Sequence, residues 1–221
     1  MVASIPNDIF QFSTWAAVQK GFSTGQPRAA DLTSHGTDGT GVFEDGKLMI
    51  LSDRKAYSIA GSGELAPAQP QERLCFAMVT VFSPLRIIKT DHSDMSMKGL
   101  EEMLSSVEAL PGLGGMNSVL PFNIEGTFTN LELVTAGGPL HKKGPTAGVM
   151  VGFMVPMWME GISGPRMHCH FMSKDNDGAN KVGGRVLSVD LGSDAVIAVG
   201  KCGRFHLGFP QGQDWEGVQL A

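Results

Sequence analysis

Between Val42 and Ala60 the chain alternates brief apolar runs with clusters of turn residues. Val42-Phe43 gives way to Glu44-Asp45-Gly46-Lys47, then Leu48-Met49-Ile50-Leu51 to Ser52-Asp53-Arg54-Lys55, and Ala56-Tyr57-Ser58-Ile59-Ala60 follows. Runs this short cannot carry the apolar stripe of a helix, and their spacing is that of a meander of β-hairpins. Leu74 to Phe82 is apolar on both faces and reads as a buried central strand, which Arg86-Ile87-Ile88-Lys89 continues in the same sheet. Further strand candidates are 118–124, 128–135, 147–155, 167–172, 184–191, 195–199 and 204–209.

Helical signals are few. Ser13 is placed to cap a short helix over 14–20 that Gly21 closes, and a second turn spans 29–35 before Gly36. Met97, Leu100, Met103, Leu104, Val107 and Leu110 recur at helical spacing, with Asp94, Glu101 and Glu102 where the helix dipole favours acid. Pro111-Gly112-Leu113-Gly114-Gly115 stops that helix. Many strands and few helices predict an α+β fold of mixed and antiparallel sheets, one half rolled into a barrel-like sheet. The expected organisation is one unit over 1–221, with 1–115 as a sheet plus helices and 116–221 as the barrel-like half carrying the site.

Composition matters for what it excludes. Charged residues are 18% of the chain and the net charge is −5, with no basic block beyond His141-Lys142-Lys143, so no nucleic-acid partner is expected. Neither a signal segment nor an apolar run of membrane-spanning length is visible, which predicts a cytoplasmic protein without a membrane partner. Cys75, Cys169 and Cys202 are odd in number and widely spaced, as expected of reduced thiols.

The densest chemistry lies in Gly164-Pro165-Arg166-Met167-His168-Cys169-His170-Phe171. On a strand His168 and His170 project to one face, and Cys169 and Phe171 to the other. Two imidazoles on one face can give zinc two nitrogen ligands, though a zinc site needs a third from elsewhere; hydrogen-bonded histidines in a barrel interior are the plainer reading. Serine-nucleophile, P-loop and dinucleotide-binding motifs are absent in the required context.

These residues bring a family into view. His35-Gly36-Thr37-Asp38-Gly39-Thr40-Gly41-Val42-Phe43 with Asp45-Gly46-Lys47-Leu48 resembles the "HGDFGLGTF…DGEL" segment of α-acetolactate decarboxylases. Phe76 to Phe82 is similar to that family's "FAVVTFF", Ile124 to Phe128 to its "IDGxF", Gly152-Phe153 with Pro156 to its "GFxxP", and Gly164 to Phe171 to its "PGYHLHF". The resemblance implies a homodimeric α+β protein that holds zinc through three histidines in its barrel-like half. It also implies an Arg and a Glu that assist decarboxylation of a 2-hydroxy-3-oxo acid. His168 and His170 match the first two ligands, but Arg185 follows Gly183-Gly184 where the third histidine stands, Asn123 replaces the Arg, and Lys47 the Glu.

An arginine about 4 Å from a unit charge interacts by ~4 kcal/mol at an effective dielectric of 20, and a divalent ion would repel it roughly twice as strongly. If zinc is bound, His168 and His170 hold it, and His206, Asp175, Asp177 or Cys202 must supply the missing ligand. The reading drawn from these replacements is a metal-independent enzyme with no cofactor. Its catalytic set would be His168, His170, Arg185 and Asn123, and its substrate-binding set Met154, Trp158, Phe153 and Lys47, with Met150, Met157 and Met159 as further walls. Such a site suits cyclisation, isomerisation or cycloaddition of an apolar, carbonyl-containing natural-product intermediate larger and flatter than acetolactate. The alternatives are a zinc-dependent decarboxylase of a 2-hydroxy-3-oxo acid and a non-catalytic binding homologue.

Overall fold

The computed structural model describes residues 7–90, 95–142, 144–174 and 181–220. The chain first lays down β1 (Ile9–Phe12), β2 (Asp38–Phe43), β3 (Leu48–Ser52), β4 (Lys55–Ile59), β5 (Leu65–Pro67) and β6 (Leu74–Thr80). It then crosses to a second sheet built from β7 (Arg86–Lys89), β8 (Met95–Ser96), β9 (Leu120–Thr135), β10 (Gly138–Lys142), β11 (Thr146–Met154), β12 (Met167–Ser173), β13 (Gly183–Leu191) and β14 (Val196–Val199). Finally β15 (Phe205–Gly208) returns to the first sheet, parallel to β1.

The first sheet runs β15-β1-β6-β2-β3-β4-β5, so the wholly buried β6 is central, as its two apolar faces require. The second runs β7-β14-β9-β11-β12-β13-β8, and β13 pairs with β9 as well, closing β9, β11, β12 and β13 into a four-stranded barrel. This is the mixed-sheet α+β architecture the sequence predicts, with the barrel in its second half.

Two strand expectations are corrected. Arg86–Lys89 does not extend the first sheet; it forms the edge of the second against β14. The ladder of β6 ends at Thr80, Pro84 has no amide hydrogen to continue it, and the Asn7 side chain instead holds both backbone groups of Ser83, at 2.8 and 2.9 Å. The candidates 118–124 and 128–135 are one 16-residue strand, β9. Gly126, at φ 154°, bends it without breaking it, and a Cβ there would lie 2.6 Å from Ala195 Cα. The early half of β9 therefore pairs with β14 and its late half with β13.

Five short helices cover the sheets. In α1 (Trp15–Gln19) the cap is Thr14 rather than Ser13: its hydroxyl accepts from the Ala17 amide at 3.3 Å, while Ser13 is a left-handed turn at φ 65°. Helix α2 (Ala29–His35) ends at Gly36 as expected. Helix α3 (Met97–Ser105) starts from the Ser96 cap and buries Leu100 and Leu104 against the barrel, whereas Leu110 is buried in the turns that follow. Helices α4 (Glu160–Ser163) and α5 (Gln213–Glu216) are single turns. Among the described residues no helix is long and apolar enough to cross a membrane.

Alternation along the strands sets two apolar layers. Phe128, Leu131, Leu133, Met150, Cys169, Phe171 and Val186 fill the barrel side, and Ile50, Ile59, Val149 and Val151 pack between barrel and first sheet. His168 and His170 share the second face, outside the barrel and toward the first sheet, not in its interior.

Candidate active site

The site forms where β12 and β13 face the first sheet. In the antiparallel register His170 is opposite Arg185, so the two Cβ atoms are about 5 Å apart on one face. His168 lies two residues along the same strand and hence on the same face. All three side chains line one cavity of about 40 Å³, closed by Thr40, Gly41, Val42 and Leu48 of the first sheet, Phe76, and the Trp15, Ser163 and Pro165 side chains. That volume holds roughly three waters.

Each imidazole is held by its Nδ1. His170 Nδ1 donates to the Met49 carbonyl of β3 at 2.7 Å, a bond that ties the two sheets together. His168 Nδ1 donates to the Pro165 carbonyl at 3.3 Å, because Gly164, at φ 108°, turns the chain back on itself before β12. A carbonyl oxygen can only accept, so both Nδ1 atoms carry the hydrogen and both Nε2 atoms present a lone pair. The His168 Nε2 is buried with no hydrogen-bond partner. Burial is the largest cause holding both rings neutral: it pushes His168 down to about 4 and His170 to about 3, against the raising effect of the carbonyl contacts, with Arg185 lowering both further. Within the described residues no carboxylate pairs with the Arg185 guanidinium.

Behind these groups the supports are clear. Phe153, opposite His168 on β11, stacks at a tilt on its ring with centroids 5.7 Å apart. Trp15 packs edge-on against Phe76. Ser163 Oγ donates to Gln11 Oε1 at 2.7 Å, and the Gln11 amide donates in turn to the Ser13 and Ile162 carbonyls, which fixes the α4 end of the cavity to β1.

Several sequence-based assignments do not hold here. Asn123 is in the same cross-strand row as His170, but Val151 stands between them, and the Asn123 amide donates to Asp38 Oδ1 at 2.9 Å in a neighbouring recess. Desolvation there raises Asp38 above the ordinary carboxylate range. Met154 faces the opposite side of β11 and is core, in contact with Ser105. Phe153 supports a histidine without lining the cavity. Trp158 is 66% exposed and donates to Asn117, Met157 is likewise exposed, and Met150 and Met159 are packed interior. Lys47 is in the β2–β3 turn, paired with Asp45 at 2.6 Å and Glu72 at 3.8 Å; its neighbour Leu48 enters the cavity instead. Sequence reasoning missed Trp15, Thr40, Ser163 and Pro165. In the sequence Thr40 and Pro165 stand out only as members of motifs, and Trp15 only as part of a capped helix.

The donor set tests a three-ligand zinc centre directly. The two bare Nε2 atoms, one of them orphaned, suit a metal ion. The third position does not: Arg185 occupies it, and no group of three His, Cys, Asp or Glu side chains able to hold an ion exists among the described residues. His206 pairs with Asp8 at 3.1 Å and Cys202 donates to the Arg204 carbonyl, both outside the cavity, while Asp175 and Asp177 lie outside the described residues. The described residues do not fit a three-histidine zinc.

Comparison with known proteins agrees with this architecture. The family model for Alpha-acetolactate decarboxylase matches residues 9–221. The Alpha-acetolactate decarboxylase of Klebsiella aerogenes is 26% identical over 219 residues, covering 91% of this chain and 80% of its own. That of Bacillus subtilis strain 168 is 25% identical over 231 residues, 97% of this chain and 86% of the relative. The crystal structure of the B. subtilis strain 168 protein superposes with a TM-score of 0.84 at 23% identity, over 96% of this chain and 93% of that one. A Staphylococcus aureus protein of unknown function similar to Alpha-acetolactate Decarboxylase gives 0.78 at 20% identity, over 92% and 90%. With the match running from β1 to the end of the chain, this protein belongs to the alpha-acetolactate decarboxylase family.

Proposed function

We propose that the chain is a decarboxylating lyase acting on a compact 2-hydroxy-3-oxo acid. The observation that carries the reading is the cavity itself: Arg185, with no carboxylate partner among the described residues, beside two neutral histidines with bare Nε2 atoms, in a chain of this family. The cavity's walls support a few-carbon acid over the larger, flatter substrate expected from a Met- and Trp-lined pocket, since Met150, Met154, Trp158 and Met159 do not line it. Cyclisation and cycloaddition lose their basis with them.

The chemistry needs charge control more than proton transfer. As the bond from C2 to the carboxylate breaks, its electron pair moves onto the adjacent ketone, carbon dioxide leaves, and an enediolate remains. Arg185 donates hydrogen bonds to the oxygen where that negative charge develops, inside a water-poor cavity where they are strongest. The His168 Nε2 accepts the hydrogen of the 2-hydroxyl and so fixes the substrate's orientation; His170 acts beside it. Water then protonates C2, giving the 2-hydroxyketone. The test is carbon dioxide release from racemic 2-acetolactate and its one-carbon-longer homologue, with chiral analysis of the product. Release above the uncatalysed rate that drops by about 10²-fold or more in Arg185→Gln is the expected result. No release from either acid would reject the reading.

A further inference from the structure

We infer that Arg185 takes the place of a metal ion in this site: its guanidinium supplies the positive charge, and the chain works with two imidazoles and no bound cation. The inference rests on the proposed site but is separable from its activity. Three observations carry it. The imidazoles of His168 and His170 are already oriented as metal ligands, their Nδ1 hydrogens spent on the Pro165 and Met49 carbonyls. The third position on the same face, opposite His170 in the β12–β13 register, holds a permanent cation that no carboxylate neutralises among the described residues. No third His, Cys, Asp or Glu side chain reaches the cavity among the described residues. A divalent ion between the two Nε2 atoms would face the guanidinium at close range with too few ligands to offset the repulsion.

The same geometry makes a sharper claim. Residue 168 is about 6.6 Å along the strand from residue 170, and residue 185 is across from it, so the three positions form a compact triangle on one face. Arg185→His should therefore complete a three-imidazole centre in one step.

The experiment measures metal content, not turnover. Wild type and Arg185→His are incubated with excess zinc or cobalt, desalted and analysed by elemental analysis, and the cobalt forms by visible absorption. Wild type is expected to retain under about 0.1 ion per chain and the variant about 1, with tetrahedral cobalt bands that vanish in His168→Ala/Arg185→His. Wild type retaining about one ion per chain overturns the inference, as does a folded variant that stays empty. Should the variant fail to fold by circular dichroism, the wild-type titration decides alone. Carbon dioxide release by wild type is measured in parallel with and without chelator. A rate abolished by chelator sinks the metal-free inference and leaves the decarboxylase reading standing, whereas absence of release with no bound metal does the reverse.

Discussion

His168 and His170 are chemically alike and structurally different. His168 is anchored within its own turn, to Pro165 three residues back, and its Nε2 is an unsatisfied buried acceptor. An acceptor left bare in a packed interior carries a desolvation cost of about 1–3 kcal/mol, which a substrate hydroxyl would relieve. His168→Ala should therefore lower carbon dioxide release by about 10²-fold or more with little change in thermal midpoint. His170 is anchored across the molecule, to β3 of the other sheet. His170→Ala removes the hydrogen from the Met49 carbonyl and should cost both activity and about 1–3 kcal/mol of stability in a urea titration. Equal midpoints for the two variants would show that the Met49 bond does not tie the sheets.

At the scale of the element, strand β11 is the floor behind the histidines and its packing is tight. A Cβ on Gly152 would come within 2.4 Å of Cys169 Cβ and 2.6 Å of the His168 carbonyl, with Phe122 as close on the other side. Backbone atoms cannot give way as a side-chain tip can, so Gly152→Ala should destabilise by about 1–3 kcal/mol or more and displace β12. The expected sign is a lowered denaturation midpoint together with a raised KM. A neutral substitution would mean that β11 and β12 separate easily. By contrast, Thr14 governs a marginal element. Helix α1 is five residues long, carries Trp15 into the cavity wall, and begins with the Thr14 hydroxyl accepting from Ala17. Thr14→Ala should cost about 1 kcal/mol, and the Trp15 environment should report it as changed near-ultraviolet circular dichroism.

For the molecule as a whole, the buried histidines make stability depend on pH. Folded, His168 is pushed down to about 4 and His170 to about 3, chiefly by burial, while in the unfolded chain both titrate near their ordinary 6.5. Below that value the unfolded state binds protons that the folded state refuses. Stability is thus full above about pH 6.5 and falls as pH drops toward 3–4, by up to ~1.4 kcal/mol per pH unit for each histidine. Asp38 works the other way, because burial raises its folded value and the native state takes up its proton first. Urea midpoints measured from about pH 7.5 down to 4.5 should decline progressively from near 6.5. A profile flat to about pH 5 would show that the histidines are solvated.

How much of this was legible beforehand follows from the range of the forces involved. Local patterning determined the element types: the hairpins of 42–60, the apolar β6, the Gly36 end of α2, and the shared face of His168 and His170, since strand alternation needs no tertiary information. Motif order pointed to the family for the same reason, and it located Arg185 beside the histidines. The rest depended on contacts far apart in sequence. Which sheet Arg86–Lys89 joins is decided by Asn7 and β14, and that 120–135 is one strand by the close approach of Ala195. The cavity walls come from helix α1, three first-sheet strands and the α4 turn, while the Met-rich run at 150–159 divides between core and surface. Hydrophobicity marks such residues as able to be buried, but which of them faces a cavity is a property of how the two sheets oppose each other, and only the folded chain sets that.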